Sequence, residues 1–564
     1  MMKLAKITIY MLALSTFASD YYVSNKIGDD KRDGRSSEIQ GDSGPLKTIN
    51  KALHMLQAGD TLHIINTGKI YRQSINIPKE MSGKETQKIT IEGNNSWITC
   101  IDPLANDRWS LSPNGSKEVY KLEGLKGTFH FGIPLYKNKE KIPVLDHVDA
   151  LKPGEFWYKE KFNILYFYTT DTYQSDKFKI ILGDGSIREV EAAEWGHTNY
   201  RHNPKLKRLR GFKQAPKSIQ INGVEAPLLD SPALDRLPEG TSCMIQDKEL
   251  YYRPHTGEKP VDMMAILRPS GVTINHVNEH ITFKNLNVAY TSNDGYNIHG
   301  KAKQIRFENC NAFFTGDEGF SSHGQCETTL DGGIFLYCSN GIHNVNNSST
   351  IIRNVIVDSP NTGGLKNDKG TVRGVIENSI AINCPIKTHQ SNMENILAIS
   401  DASTDNQTQT GIEAGENVMI KSVTIIGSGL IRVDKSSACF EGCILALENG
   451  RIHIRDTNPK NILVLKNSSY SKSVLLEWGK KPPFQKSPLV KWGQENPENM
   501  VNTTPIEIEF KGPIQNQYQQ LPHNVGCSKE LFNRYIEYRS TREELLKTVQ
   551  KMVWPKELEY YKDI

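Results

Sequence analysis

Along the middle of the chain, apolar and polar residues alternate in short blocks that return about every two dozen positions. "ITFKNLNV" from Ile281, "IRFENCNA" from Ile305, "IFLYCSNG" from Ile334, "IIRNVIVD" from Ile351 and "VIENSIAI" from Val375 share one pattern, and "MIKSVTII", "CFEGCILA" and "LVLKNSSY" continue it. Period-2 alternation rich in β-branched residues predicts strands. A fixed period of this length predicts coils stacked as a β-solenoid. A leucine-rich repeat has a similar period but needs a leucine lattice, which is absent. Asn285, Asn309, Asn354 and Asn378 recur in these blocks, and an internal amide ladder bonded from rung to rung is expected of them.

Helical spacing occurs near both ends. Leu46, Ile49, Ala52, Leu53 and Leu56 predict a short amphipathic helix closed by Gly59-Asp60. Such a helix would cover the apolar face that the first coil of an array otherwise exposes. Near the other end, "SKELFNRYIEYRSTREELLKTVQKMV" predicts a long helix that packs along the solenoid or caps it, with Leu531, Tyr535, Leu545, Val549 and Met552 as its apolar positions. Between about 101 and 265 the pattern changes to Tyr-, Trp- and Pro-rich alternation with an internal duplication. Asn138, Pro143, Leu145, Asp146 and Gly154 find counterparts in Asn222, Pro227, Leu229, Asp230 and Gly240, so two small β modules are expected there.

Composition narrows the function classes. A net charge of +4 over 564 residues calls for no nucleic-acid partner. The basic run "RHNPKLKRLRGFK" reads as a solvated loop or as a strip for an acidic glycan. Two lysines and the apolar run Ile7 to Ala18 read as an export signal, so a secreted or periplasmic protein without a membrane span is expected. Nine cysteines without CxxC spacing argue against a zinc cage; they read as buried fillers with room for one disulfide. P-loop, Rossmann, HExxH and GxSxG signatures are absent at sensible positions.

The candidate chemistry lies in a phrase written twice, "NDGYNIHG" at 293–300 and "DEGFSSHG" at 317–324. In a solenoid, equivalent positions stack at about 4.8 Å. Anchoring on Gly295, Gly319, Gly341 and Gly364 sends Tyr296, Phe320, Ile342 and Leu365 inward. Asn297, Ser321, His343 and Lys366 then face out, with His299, His323 and Asp368 two positions on. Asp294 and Glu318 precede the glycines beside Asn293 and Asp317, so three carboxylates converge within two rungs. Close acids repel, and at least one is expected to hold its proton more tightly. Carboxyl groups with separated pKa values are what glycoside hydrolysis requires. Gly316 and Gly319 would permit the bend that aims Asp317 and Glu318 into one cleft.

The polar turn, amphipathic helix and "AGDTLHI" resemble the cap of secreted right-handed parallel β-helix proteins of the pectate-lyase-like kind. "NDG" followed by "DE" twenty-three residues after its Asp resembles the acidic motif of polygalacturonase-type β-helix glycoside hydrolases. Small β modules ahead of the acidic coils also resemble the β-helix α-1,3-galactosidases. The likeness implies an inverting hydrolase in which Asp294, Asp317 and Glu318 share the roles of acid, base and water-positioning group. The sequence departs from the polygalacturonase motif at Glu318, and no RIK follows.

The expected architecture is all-β: a right-handed parallel β-helix with an N-terminal capping helix, inserted β modules and a C-terminal helix. Its expected parts are a signal at 1–18, cap and first coils at 19–100, modules at 101–265, β-helix with the active face at 266–475, and a tail with capping helix at 476–564. Asn297, His299, His323, His343, Lys366 and Arg373 are expected to bind substrate, a galactan- or uronate-type poly- or oligosaccharide. A monomer without metal or other cofactor is expected. Two rival readings differ in class. A polysaccharide lyase would use Lys366, Lys369 and Arg373 as cations, with calcium held by the acids. A non-catalytic glycan-binding solenoid would need no converging acids.

Overall fold

The computed structural model describes residues 18–554 except 113–117, 126–132, 146–155, 160–163, 170–175, 185, 198–204, 211, 213–215, 227, 230–235, 246–248, 368–373, 390, 401–409, 416–417, 434–437, 457, 460–461, 481 and 511–512. The expected export signal thus lies outside the described residues apart from Ala18. The described chain forms two compact units, 18–101 with 268–554 and 102–267.

The first unit is a parallel β-helix. Among the described residues its strands form a sheet of 17 and a sheet of 12, each with parallel rung-to-rung registers apart from an antiparallel terminal strand, Gln485–Pro488, on the second. One inward column runs Ile91, Phe283, Phe307, Leu330, Ile352, Ile376, Met393, Ile420, Phe440 and Leu465, one residue per coil. Ile91 pairs with Phe283 directly, so the second unit is inserted between consecutive coils. The predicted pattern of strands is present, but its register is shifted: Ile305 pairs with Thr328, and Ile334 with Ile356. The block starting at Ile334 is the second half of its strand, a slip that apolar alternation alone does not reveal.

The asparagines sit elsewhere than expected. Asn285, Asn309, Asn354 and Asn378 have φ of 50°, 52°, 57° and 49° and form the corner at which each long strand turns from one face to the next. Asparagine tolerates this left-handed conformation better than other residues bearing a side chain. Asn309 donates to Asn285 across a rung at 3.4 Å, yet this ladder is on the surface: Asn309 and Asn378 are exposed. An interior ladder exists at different residues, where Asn344 donates to Asn367 at 2.7 Å and Asn367 to Ser391. All nine cysteines are free thiols and eight are buried, in keeping with their reading as fillers, and the room for one disulfide is not used.

The short helix is Ile49–Leu53, burying Ile49, Ala52 and Leu53. The long helix, Lys529–Val553, begins at Ser528, whose side chain accepts from Leu531 N. It covers an apolar stripe on the outside of the solenoid, packing Leu531, Phe532, Tyr535 and Tyr538 against Ile356, Ile380, Ile382, Leu397, Ile399 and Ile426. Without the helix these outward aliphatics would face water, at a cost of about 1.5–3 kcal/mol for each fully exposed side chain. No helix among the described residues is long and apolar enough to cross a membrane.

Among its described residues the second unit consists of small sheets around an aromatic core built from Phe156, Phe167, Phe178 and Trp195 and a mainly aliphatic one that includes Leu104, Leu122, Leu135 and Leu250. Asn138 and Asn222, counterparts in the sequence duplication, both turn hairpins at φ 52°.

Candidate active site

The repeated phrase has a steric cause. Tyr296, Phe320, Ile342 and Leu365 form an inward column, all fully buried. Beside them the glycines stack so closely that side chains have no room. A Cβ on Gly295 would lie 2.6 Å from Gly319 O; on Gly319, 2.7 Å from Gly341 O; and on Gly341, 3.0 Å from Gly364 O. Close backbone approach, rather than conformational freedom, fixes glycine here.

The residues just before these glycines form the acid corner. Glu318 pairs in register with Asn340, and Asn340 with Gly363. Gly316 N–H donates to Thr291 O at 2.9 Å, Asp317 N–H to Asn293 O at 3.1 Å, and Asn340 N–H to Asp317 O at 3.0 Å. The corner is therefore held rung by rung. Asp294, Asp317 and Glu318 bring carboxylate oxygens within 4.8 Å of one another. Asp294 is only 2% exposed; its Oδ1 accepts from Glu318 N–H at 3.2 Å and its Oδ2 from the Ser321 hydroxyl at 2.6 Å. Glu318 is buried and Asp317 half-buried.

Three acids this close do not ionise together. Burial, and then the charge of Glu318, hold Asp294 well above the usual carboxylate range. The same causes in the same order raise Asp317 to about 6. Glu318 moves the other way. Burial acts to raise it but is outweighed by hydrogen bonds from His343 and Asp294, so it lies below its ordinary value. The corner thus sets an ionised glutamate beside an aspartic acid that still carries its proton in weakly acidic solution. His343 Nδ1 lies 2.9 Å from Glu318 Oε1, the contact that most directly steadies the charge.

The outward column is Asn297, Ser321, His343 and Lys366. Lys366 folds back over Gly363 to donate to Asn340 Oδ1 at 2.6 Å. His299 and His323 stack at 4.1 Å with planes 4° apart. Burial lowers both; His323 falls to about 4, also opposed by the neighbouring His299, so both rings are neutral at ordinary pH. Asn297 is half-buried, and its Oδ1 has no hydrogen-bond partner among the described residues. Arg373, with Lys369 and Asp368, lies outside the described residues.

Sequence reasoning missed Asn340. Its Nδ2 reaches both Asp317 Oδ1 and Glu318 Oε1 at 3.3 Å, while its Oδ1 accepts from Lys366 and, at 2.9 Å, from Thr362. One amide therefore ties the acid pair to the lysine. The signal was present, because "SNG" at 339–341 continues the column of "NDG" and "DEG" with an amide in place of the acid. The three carboxyl groups together also offer the hard oxygen donors that a calcium ion takes.

No family model matches the chain, and no curated protein does. Among solved structures, XylC in complex with xylose is 11% identical over 80% of this chain and 68% of its own, with a TM-score of 0.37. A rhamnogalacturonan lyase is 12% identical over 83% of this chain and 79% of its own, with a TM-score of 0.23. Likenesses this distant carry no argument, and the parallel β-helix rests on the chain's own strand registers.

Proposed function

We propose that this chain is a glycoside hydrolase acting on a poly- or oligosaccharide. The carrying observation is that Asp317 and Glu318, adjacent in sequence and aimed at one place, are driven in opposite directions by their surroundings. Asp317, half-buried and protonated below about 6, is suited to protonate the departing glycosidic oxygen. Glu318, ionised and held by His343 and Asn340, is suited to orient water or to attack the sugar itself. Asp294 is too enclosed to touch substrate; it holds the backbone of Glu318 and the hydroxyl of Ser321. His299, His323, Asn297 and Lys366 supply the polar and flat surfaces around the pair.

The anomer of the product is open to measurement. Carboxyl groups of inverting enzymes are typically ~6.5–9.5 Å apart, whereas those of retaining enzymes are ~5–5.5 Å apart. Oxygens of the acid pair approach within 4.8 Å, and NMR of the first-formed anomer tests the inverting outcome that the sequence likeness implies.

A polysaccharide lyase is the second reading, favoured by the Lys366 ammonium beside the acid pair. Asp294, Asp317 and Glu318 would then hold calcium, which would supply charge stabilisation at the uronate carboxylate. A panel of galactans and uronate polymers separates the readings when new reducing ends and the ultraviolet absorbance of unsaturated uronate are followed together. Reducing ends without absorbance, lost in Asp317→Asn, are expected. Both signals rising together, and lost in Lys366→Ala or on calcium chelation, would replace the hydrolase with the lyase.

A further inference from the structure

Immediately before the acid corner, three rungs carry a large aromatic residue in a conformation such residues avoid. Tyr290, Phe314 and Tyr337 have φ of 55°, 54° and 54°. A bulky side chain at positive φ is a genuine outlier, retained only where its surroundings over-determine it. The fold does not require a ring there. On the next two rungs the same position is occupied by Ser359 and Asn383, at φ 48° and 52°. The rings occur on the rungs that carry Asp294, Asp317 with Glu318, and Asn340.

The rings stack on one another, Tyr290 on Phe314 at 4.9 Å and Phe314 on Tyr337 at 5.4 Å. The C-terminal helix holds the stack at its Tyr337 end, and Trp554, just past the helix, meets it at the other. Arg542 lies over the Tyr337 ring at 5.1 Å and donates to its hydroxyl at 2.9 Å. The same guanidinium is locked by Asp358 at 2.6 Å, and Tyr538 donates to Asp358 at 2.7 Å; Asp358 is fully buried. Trp554 meets Tyr290 edge-on at 5.6 Å.

From the rings the chain runs straight into the acids. The Thr291 and Thr315 hydroxyls turn back to the carbonyls of Asn293, at 2.7 Å, and Asp317, at 3.2 Å. The geometry points to Arg542 as a positioning residue for the acid corner, acting through the Tyr337–Phe314–Tyr290 stack. Arg542 touches no acid of the corner. By fixing the strained rings it fixes where the next residues place Asp317, Glu318 and Asn340.

The test compares Arg542→Lys, which keeps the charge opposite Asp358 but loses the flat fork on Tyr337, with Tyr337→Phe, which removes only the hydroxyl. Arg534→Lys is the control, since Arg534 ties the same helix to the solenoid at Asn378 O, away from the rings. Hydrogen exchange followed by mass spectrometry would monitor peptides covering 314–318 and 337–341 against peptides from the inward strands. Exchange rising several-fold at the corner peptides alone is expected in Arg542→Lys, less in Tyr337→Phe, and not in Arg534→Lys. On a cleaved glycan, kcat should fall several-fold in Arg542→Lys with KM held. That kinetic arm rests on the acid corner being catalytic; the exchange arm does not. Should Arg542→Lys fail to fold, Tyr337→Phe decides alone. Corner peptides that exchange as in the wild type, or a rise shared by the whole solenoid, would overturn the assignment.

Discussion

Asp317→Asn separates two consequences of one carboxyl. In the folded protein Asp317 titrates at about 6 against an ordinary 3.8, raised by burial first and by Glu318 second. A raised carboxyl contributes stability below its unfolded value, and the contribution is lost as pH rises through about 6. The difference corresponds to roughly 3 kcal/mol against the ionised form at ~1.4 kcal/mol per pH unit. Asp317 is partly exposed, so solvent screening reduces this to about 1–2 kcal/mol. Asparagine keeps an oxygen for Asn340 Nδ2, now at 3.3 Å from Asp317 Oδ1, and offers an amide N–H to Glu318 in place of the acid proton. The variant should therefore be more stable than the wild type by about 1–2 kcal/mol near pH 7.5 and show no gain near pH 4. Hydrolysis should fall by ~10²–10⁴-fold, the usual value of a general acid. Denaturant midpoints at both pH values, with glycan turnover, read all three outcomes. A variant less stable near neutrality, or a gain that is equally large in acid, would refute the electrostatic reading of the corner.

Turnover of the wild type should decline as pH rises through about 6, because the proton on Asp317 is then lost; an alkaline optimum in a pH–rate profile would contradict its role as acid. Asn340→Ala leaves the acid pair without its shared donor and Lys366 without its acceptor, and kcat/KM should drop by about tenfold or more. Gly319→Ala would set a Cβ 2.6 Å from the Phe335 ring and 2.7 Å from Gly341 O, and calorimetry should show a loss of about 1–3 kcal/mol. Asp358→Asn uncovers a buried Arg542, with an expected cost of roughly 3–5 kcal/mol in denaturant unfolding.

Much of this was legible because stacking converts sequence offsets into neighbours. The glycine column and the inward Tyr296, Phe320, Ile342 and Leu365 follow from spacing alone, since close packing admits few residue types there. The C-terminal helix followed from its apolar period, and its partner stripe explains why outward positions such as Ile380 and Leu397 are aliphatic. The surface corner asparagines looked interior because left-handed φ and rung-to-rung bonding select the same residue. Asn340 was hidden by being an amide in a column recognised through its acids. The aromatic corner has no sequence signature, because a ring at positive φ is set by tertiary packing against a helix some two hundred residues away.

In the proposed hydrolysis, water is the second substrate. Once a cleaved glycan is in hand, the most direct measurement is digestion in heavy-oxygen water with mass spectrometry of the products, for the wild type and for Glu318→Gln. Hydrolysis predicts one heavy oxygen per bond cleaved, carried by the new reducing end and absent from the new non-reducing end, and no product from Glu318→Gln. Unlabelled products lighter by one water, formed equally by Glu318→Gln, would show that the bond breaks by elimination and that the acid corner serves another purpose.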